Sequence, residues 1–221
     1  MEQFMTLYFK ELRNMKHVLL IMLGVIIGYL LYANFFKKYI YSMFLLQHFL
    51  YLFPILFVYS IYRGEKNQTI YQSELYKNQK HKFLLIKYLI FIDALIMMTV
   101  IMFINILLIK YDILPKLRPK GVVATAVGDL GLAISALIGY FSGPFILLSF
   151  ICTAWGVMQF IKRNQFIRLI LGLLIVIAGF ISYKSIIGLD IVPNIYKYFF
   201  LTLVIGAVYA FIGIFIYERS G

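Results

Sequence analysis

The sequence has few charged residues for its length. Only 14% of its 221 residues are Asp, Glu, Lys or Arg, whereas 63% are apolar, and the mean hydropathy is +0.90. A water-soluble domain of this size needs about a quarter charged residues to cover its surface, and a disordered chain has far fewer apolar ones. The composition therefore argues against both classes and predicts a chain that lies in a lipid bilayer.

Cysteine and the common catalytic motifs are also scarce. The one cysteine, Cys152, has no partner in the chain, so a disulfide framework is excluded. The sequence contains no phosphate-binding Gly-x-x-x-x-Gly-Lys-(Ser/Thr), no His-Glu-x-x-His and no Gly-x-Ser-x-Gly pattern. The three histidines are too far apart in sequence to indicate a metal site. We therefore expect no enzyme activity, no metal and no cofactor in this chain.

The net charge of +12 is of the sign expected for a protein that binds nucleic acid. The 21 Lys and Arg residues, however, occur in short groups between apolar runs and do not follow one face of a helix. This is the pattern of loops that lie against anionic lipid headgroups. We therefore predict a lipid bilayer as the partner of these charges, and no nucleic acid.

The apolar runs predict an all-α, polytopic membrane protein. At about 20 residues per crossing, they indicate six transmembrane helices, near residues 18–36, 40–62, 83–109, 131–161, 166–183 and 198–217. Gly143 and Pro144 interrupt the fourth run, and proline bends a helix, so we expect one kinked span there. A hairpin within 121–161, which would give seven spans, is the alternative.

Positive charge predicts the orientation of these spans. An even number of spans places both termini on one side of the membrane, and 13 of the 21 Lys and Arg residues fall on that side. By the positive-inside rule, the termini are expected in the cytoplasm. Residues 1–17 are expected to form a separate interfacial helix, because Phe4, Tyr8, Leu12 and Met15 recur at helical spacing. Residues 18–221 then form a single transmembrane domain.

Ionisable and polar residues within the spans are the first candidate functional residues, because a buried charge is costly in lipid. Asp93 lies near the middle of the third span, and His48 lies at a comparable depth in the second, so a His48–Asp93 hydrogen bond is expected. Asn105 and Gln159 are polar residues in otherwise apolar helices. Lys87 lies near the inner end of the third span and is expected to extend its amine to the headgroups.

The cytoplasmic loop 63–82 is the second candidate. From Asn67, a good helix-capping residue, its sequence predicts a short helix with an apolar face formed by Ile70, Tyr71 and Leu75. An exposed helix of this kind commonly binds a groove on a partner protein. The alternative is a helix that rests on the headgroups.

Three segments resemble a family of bacterial transporters. Phe9-Lys10-Glu11-Leu12-Arg13, Glu65-Lys66-Asn67-Gln68-Thr69-Ile70 and Phe83-Leu84-Leu85-Ile86-Lys87-Tyr88 are similar to motifs of permease subunits of type-two ATP-binding-cassette (ABC) exporters. Those motifs begin an interfacial helix, follow the second span and begin the third. The sequence departs from the family pattern where Gln68 and Ile86 stand in place of glycine, and where the proline usual near position 76 is missing.

The resemblance implies a small half-transporter in the bacterial cytoplasmic membrane. In that family, two permease chains pair with two cytoplasmic ATPase subunits that hold ATP and Mg²⁺, and a coupling helix after span two contacts the ATPase. On this chain, the resemblance assigns that contact to Glu65, Thr69, Ile70, Tyr71 and Leu75. It implies export of a hydrophobic or amphipathic molecule, with peptide toxins or antimicrobial peptides as examples.

Two alternatives belong to other functional classes. A stand-alone, proton-coupled secondary carrier would use Asp93 and His48 as proton sites, and would lose activity when the proton gradient collapses. A membrane anchor or sensor that transports nothing would tolerate changes in the polarity of its spans. The sequence leaves open the substrate, the pairing of like or unlike permease chains, and the helix face at which they meet.

Overall fold

The computed structural model describes residues 2–36, 50–66, 80–110, 130–161, 165–187 and 195–219. These residues contain no β-strand and form six α-helices. The expected all-α class is confirmed for this part of the chain. The helices are α1 (Glu2–Phe36), α2 (Leu52–Lys66), α3 (Lys80–Lys110), α4 (Leu130–Met158), α5 (Gln165–Ile187) and α6 (Ile195–Arg219).

Four of these helices contain segments that are long and apolar enough to cross a membrane. The segments are Lys82–Ile104, Leu137–Met158, Phe166–Ser185 and Lys197–Arg219, and they coincide with the last four predicted spans. Two shorter apolar segments overlap the first two predicted spans, since Leu19–Gly28 lies within 18–36 and Leu52–Arg63 covers the second half of 40–62. Part of the second predicted span, 40–62, falls outside the described residues.

The first helix differs from its prediction. We expected a break near residue 17 between an interfacial helix and the first span, but α1 continues without interruption from Glu2 to Phe36. The physical reason is local, because no glycine or proline precedes Gly24 and the backbone bonds can continue through the polar residues. Residues 1–17 are therefore not a separate helix.

The fourth helix is the centre of the bundle, because it contacts α2, α3, α5 and α6. It runs continuously through Gly143 and Pro144, so the described residues contain no hairpin between Leu130 and Met158. Pro144 is buried. A proline inside a helix is tolerated in membrane proteins where neighbouring helices surround the weakened position.

The closest pair of helices is α4 and α6. A methyl group added at Gly156 would overlap the carbonyl oxygen of Gly213, and one added at Gly213 would lie 2.5 Å from the carbonyl oxygen of Cys152. Small residues permit such an approach of two backbones. Because the two backbones are close, the Thr153 hydroxyl on α4 can donate a hydrogen bond of 2.6 Å to the carbonyl oxygen of Tyr209 on α6.

Aromatic side chains fill the core between α2 and α3. Phe57 packs edge-on against Phe91, with ring centroids 5.4 Å apart, and Phe53 packs against the same ring at 6.4 Å. Tyr88 joins this group and forms a 2.8 Å hydrogen bond with the hydroxyl of Ser149 on α4. These contacts fix α3 between α2 and α4, which is the arrangement that positions the candidate site.

The fifth helix lies at the edge of the bundle. Its Gly179 packs on the ring of Phe150, and its Tyr183 hydroxyl forms a 2.8 Å hydrogen bond with Thr202 of α6. Its other face carries large apolar side chains such as Phe166 and Leu169, which are 71% and 70% exposed. In a membrane this face contacts lipid.

Candidate functional site

A buried ion pair joins α1 to α3. The Nζ atom of Lys87 lies 2.8 Å from Oε2 of Glu11, and the two side chains are only 5% and 12% exposed. The Lys87 ammonium also lies 5.1 Å from the centroid of the Phe83 ring and 4.0 Å from the sulfur of Met15. Lys87 therefore does not extend to the headgroups as expected from its sequence position, because a carboxylate on α1 neutralises it inside the protein.

A second polar contact between the same helices involves Asp93. The Tyr8 hydroxyl donates a 2.5 Å hydrogen bond to Oδ2 of Asp93. Tyr8 lies outside the four apolar segments. Its partial burial, followed by the neighbouring Asp93 carboxylate, raises the pKa of its hydroxyl to about 12. The hydroxyl thus remains protonated at neutral pH and can donate this bond.

These two contacts show how α1 runs along α3. Tyr8 lies beside Asp93, whereas Glu11 lies beside Lys87, so the two helices are antiparallel at this point. The contacts are about 9 Å apart along α3 at 1.5 Å per residue. The start of α1 therefore packs along the first half of the third span. We name Tyr8, Glu11, Lys87 and Asp93 the α1–α3 clamp.

An apolar groove lies further along α3. It has a volume of about 490 Å³ and opens at the surface between α3, α4 and α6. Its polar lining residue, Thr99, already donates its hydroxyl proton to the carbonyl oxygen of Leu95. The other described lining residues are apolar, and they include Ile96, Val100 and Phe103 of α3, Leu137 and Phe141 of α4, and Phe199 and Leu203 of α6.

The loop expected to couple to an ATPase falls largely outside the described residues. Thr69, Ile70, Tyr71 and Leu75 lie there, so the structure does not test their role. Glu65 belongs to the last turn of α2, although its side chain is not described. The structure does give the position of the loop in the chain, since α2 ends at Lys66 and α3 begins at Lys80.

Three of the four intramembrane polar candidates, Asp93, Asn105 and Gln159, belong to the described part of the chain. His48 lies outside the described residues, so the expected His48–Asp93 bond is not tested, while the described partner of Asp93 is Tyr8. Asn105 lies on α3, but its side chain is not described. Gln159 lies in the turn after α4, where its backbone N–H donates to the carbonyl oxygen of Gly156.

Sequence reasoning missed three members of the clamp, namely Tyr8, Glu11 and Lys87. A signal was present, because Tyr8, Glu11 and Met15 recur at spacings of three and four and therefore share one face of a helix. An acidic residue on that otherwise apolar face indicates a buried basic partner. The sequence does not identify the partner, since Lys87 is remote in the chain.

The clamp joins α1 to α3 through one ion pair and one hydrogen bond. The charged and hydroxyl groups of the clamp are paired with one another. The nearby groove is lined mainly by apolar side chains. The arrangement is therefore suited to mechanical connection and apolar binding. Comparisons with protein-family models, curated proteins and solved structures found no match to this chain.

Proposed function

We propose that this chain is the transmembrane permease subunit of an ATP-driven exporter of a hydrophobic or amphipathic molecule. It would act in the bacterial cytoplasmic membrane, with its C-terminus in the cytoplasm, as a permease dimer coupled to two separate ATPase subunits. One observation carries the proposal. Helix α3 extends without interruption from the end of the coupling loop, through the α1–α3 clamp, to the apolar groove.

The distances along α3 support a mechanical role. From its first residue, Lys80, to Lys87 is about 10 Å, and from Lys87 to Ile96 is a further 14 Å, at 1.5 Å per residue. A movement of the loop before Lys80 would therefore be transmitted to the α1–α3 clamp through only two turns of α3. Because Glu11 holds Lys87, the push would move α1 and α3 together as a rigid unit.

The groove supports the proposed substrate class. Its lining offers apolar surface, and the Thr99 hydroxyl donates its hydrogen bond to the carbonyl oxygen of Leu95 in the same helix. A small ion or sugar would lose its hydration there without replacement hydrogen bonds, whereas an apolar or amphipathic molecule would lose little. A movement of α3 would change the width of the groove, since the other walls belong to α4 and α6.

The energy source in this proposal is a partner protein. The chain has no phosphate-binding motif of its own, so ATP and Mg²⁺ would be bound by the ATPase subunits. The resemblance assigns the contact with them to Glu65, Thr69, Ile70, Tyr71 and Leu75. Loop 63–82 lies on the predicted cytoplasmic side, where such a subunit would be found.

The test is co-purification of an ATPase with the full-length chain from the native membrane. We expect nucleotide hydrolysis to co-purify with the unaltered protein and with Ser73→Glu, since Ser73 lies about 140° around the predicted helix from the centre of the apolar face, at 3.6 residues per turn. We expect Ile70→Asp and Leu75→Asp to abolish it. Hydrolysis that survives these two substitutions would contradict the coupling assignment.

Transport in vesicles separates this proposal from a proton-coupled carrier. A permease driven by ATP should continue to transport when an uncoupler collapses the proton gradient, and it should stop without its ATPase. A carrier that uses Asp93 and His48 should behave in the opposite way and should be inactivated by Asp93→Asn. Transport by the chain alone, without nucleotide, would refute the permease proposal.

A further inference from the structure

Helix α1 carries a group of basic side chains on the face that points away from α3. The group, which we name the basic face, consists of the exposed residues Lys10, Arg13, Lys16 and His17. At about 100° per residue, the four lie within an arc of about 120°. The centre of that arc is about 180° from the midpoint between Glu11 and Met15, which are buried and contact Lys87. The α1–α3 clamp therefore fixes the rotation of α1 and turns the basic face outward.

The acidic residue nearest to the basic face in the chain is already paired. Glu11 is the one acidic residue between Phe4 and Phe36, and it binds Lys87 of α3. The cations Lys10, Arg13 and Lys16 follow one another at intervals of three residues, so they are neighbours on the helix surface. Like charges at this spacing destabilise a helix. An anion bound among them would relieve that repulsion.

We propose that the basic face binds the phosphate group of an anionic phospholipid in the leaflet that surrounds the start of α3. With the predicted orientation, this is the cytoplasmic leaflet. Arg13 and Lys16 supply positive charge, and the ring of His17 adds an N–H donor. The proposal assigns a preferred lipid to one place on one helix, and it depends neither on ATPase coupling nor on the exported molecule.

The depth of the basic face fits a phospholipid headgroup. The apolar segment of α3 begins at Lys82, and Lys87 lies about 7.5 Å further along the helix. Met15 contacts Lys87, and Lys16 follows it directly in the antiparallel α1, in the direction of Lys82. The basic face thus lies near the edge of the apolar layer. Long Lys and Arg side chains can cover the remaining distance to the phosphates.

Exposed apolar side chains beside the basic face favour a phospholipid over a soluble anion. Phe9 and Met5 are 58% and 46% exposed, and both lie on the outward half of α1 at 3.6 residues per turn. Because α1 is antiparallel to α3, these two residues lie deeper in the membrane than Arg13 does. A phospholipid joins a phosphate to acyl chains, so it can pair with the cations and cover Phe9 and Met5 at the same time. Nucleic acid or an acidic soluble protein would leave these apolar groups uncovered.

The experiment is native mass spectrometry of the full chain in detergent micelles, titrated with phosphatidylglycerol or with phosphatidylcholine of the same acyl chains. Each Lys or Arg near an anionic lipid contributes about fivefold in affinity, so we expect the unaltered chain to prefer phosphatidylglycerol by at least about tenfold. Arg13→Gln/Lys16→Gln should reduce that preference to less than about threefold. Arg13→Lys/Lys16→Arg, which keeps both charges, should retain it.

Lys184→Gln/Arg219→Gln is the matched control. It also removes one Lys and one Arg, from exposed positions on α5 and α6. We expect this variant to prefer phosphatidylglycerol as strongly as the unaltered chain does. Retained helical content, measured by circular dichroism, shows that each variant is folded.

Four results would overturn the proposal. Equal affinity of the unaltered chain for the two lipids would show that α1 does not select an anionic headgroup. A preference that persists in Arg13→Gln/Lys16→Gln would place the lipid elsewhere. An equal loss in Lys184→Gln/Arg219→Gln would show that only the net charge of the protein matters. Displacement of phosphatidylglycerol by an equal concentration of inorganic phosphate would show that the site binds the free anion.

Discussion

Replacing Lys87 by methionine removes the ammonium that neutralises Glu11 while keeping a side chain of similar length. The two charged atoms are 2.8 Å apart, and both side chains are largely inaccessible to solvent. At an effective dielectric constant of 20, their attraction is about 6 kcal/mol. Desolvation of each ion costs several kcal/mol, so the net contribution of the pair is much smaller than this attraction.

The loss on removing one partner is larger than the net value of the pair, because the remaining charge stays buried. We expect Lys87→Met to lower the free energy of unfolding by about 3–5 kcal/mol. Glu11→Gln should cost a similar amount, since it leaves the ammonium unpaired. The double variant should cost less than the sum of the two, by about 1–3 kcal/mol, because neither charge is then left alone.

The measurement is unfolding of the purified chain in mixed micelles by increasing mole fractions of sodium dodecyl sulfate, followed by circular dichroism. Lys184→Met is the matched control, because Lys184 lies in the exposed last turn of α5 and is not part of the clamp. We expect that substitution to change the stability by less than about 0.5 kcal/mol.

The double-mutant cycle tests whether Lys87 and Glu11 interact. Additive effects of Lys87→Met and Glu11→Gln, or a loss at Lys87 no larger than that at Lys184, would show that the two residues do not interact. In that case Lys87 would extend to the headgroups as its sequence position indicates, and the clamp would not transmit force between α1 and α3. The mechanical argument for the permease would then fail as well.

Three further predictions concern helix packing and use the same unfolding measurement. Gly156→Ala should destabilise the protein by about 1–3 kcal/mol, because the added methyl group overlaps α6. Gly139→Ala is the control, since its methyl group meets nothing within 4 Å, and it should be neutral or stabilising by up to about 1 kcal/mol. Equal effects of the two substitutions would contradict the close crossing of α4 and α6. Thr153→Val should cost about 0.6–1.7 kcal/mol, the range of interhelical hydrogen bonds, and no loss would mean that the bond to α6 is not formed. Tyr8→Phe and Asp93→Asn should be less than additive by about 1 kcal/mol, and strict additivity would show that they are not partners.

The sequence predicted the membrane class and most helix positions, because each helix follows from a local run of apolar residues. The last four spans coincide with the apolar segments of α3, α4, α5 and α6. The break near residue 17 was predicted from the change in polarity there. Polarity alone does not end a helix when no glycine or proline is present, so α1 continues.

The partners of the polar side chains were harder to predict. Asp93 was recognised from its depth in the third span, but its described partner is Tyr8 on α1. The depth of Asp93 in the membrane restricts its hydrogen-bond partner to residues at the same depth, and several helices contain such residues. The choice depends on which helix packs beside α3, and local periodicity carries no information about that neighbour.

The sequence by itself determined that this chain lies in lipid as a bundle of helices, since hydropathy and helical propensity are sums over neighbouring residues. Tertiary structure alone decided that Lys87 meets Glu11 and that three helices leave an apolar groove between them. Both features join residues that are remote in the chain. Such contacts arise from the packing of whole helices against one another, in which the free energy is shared among many side chains and is assigned to no single segment.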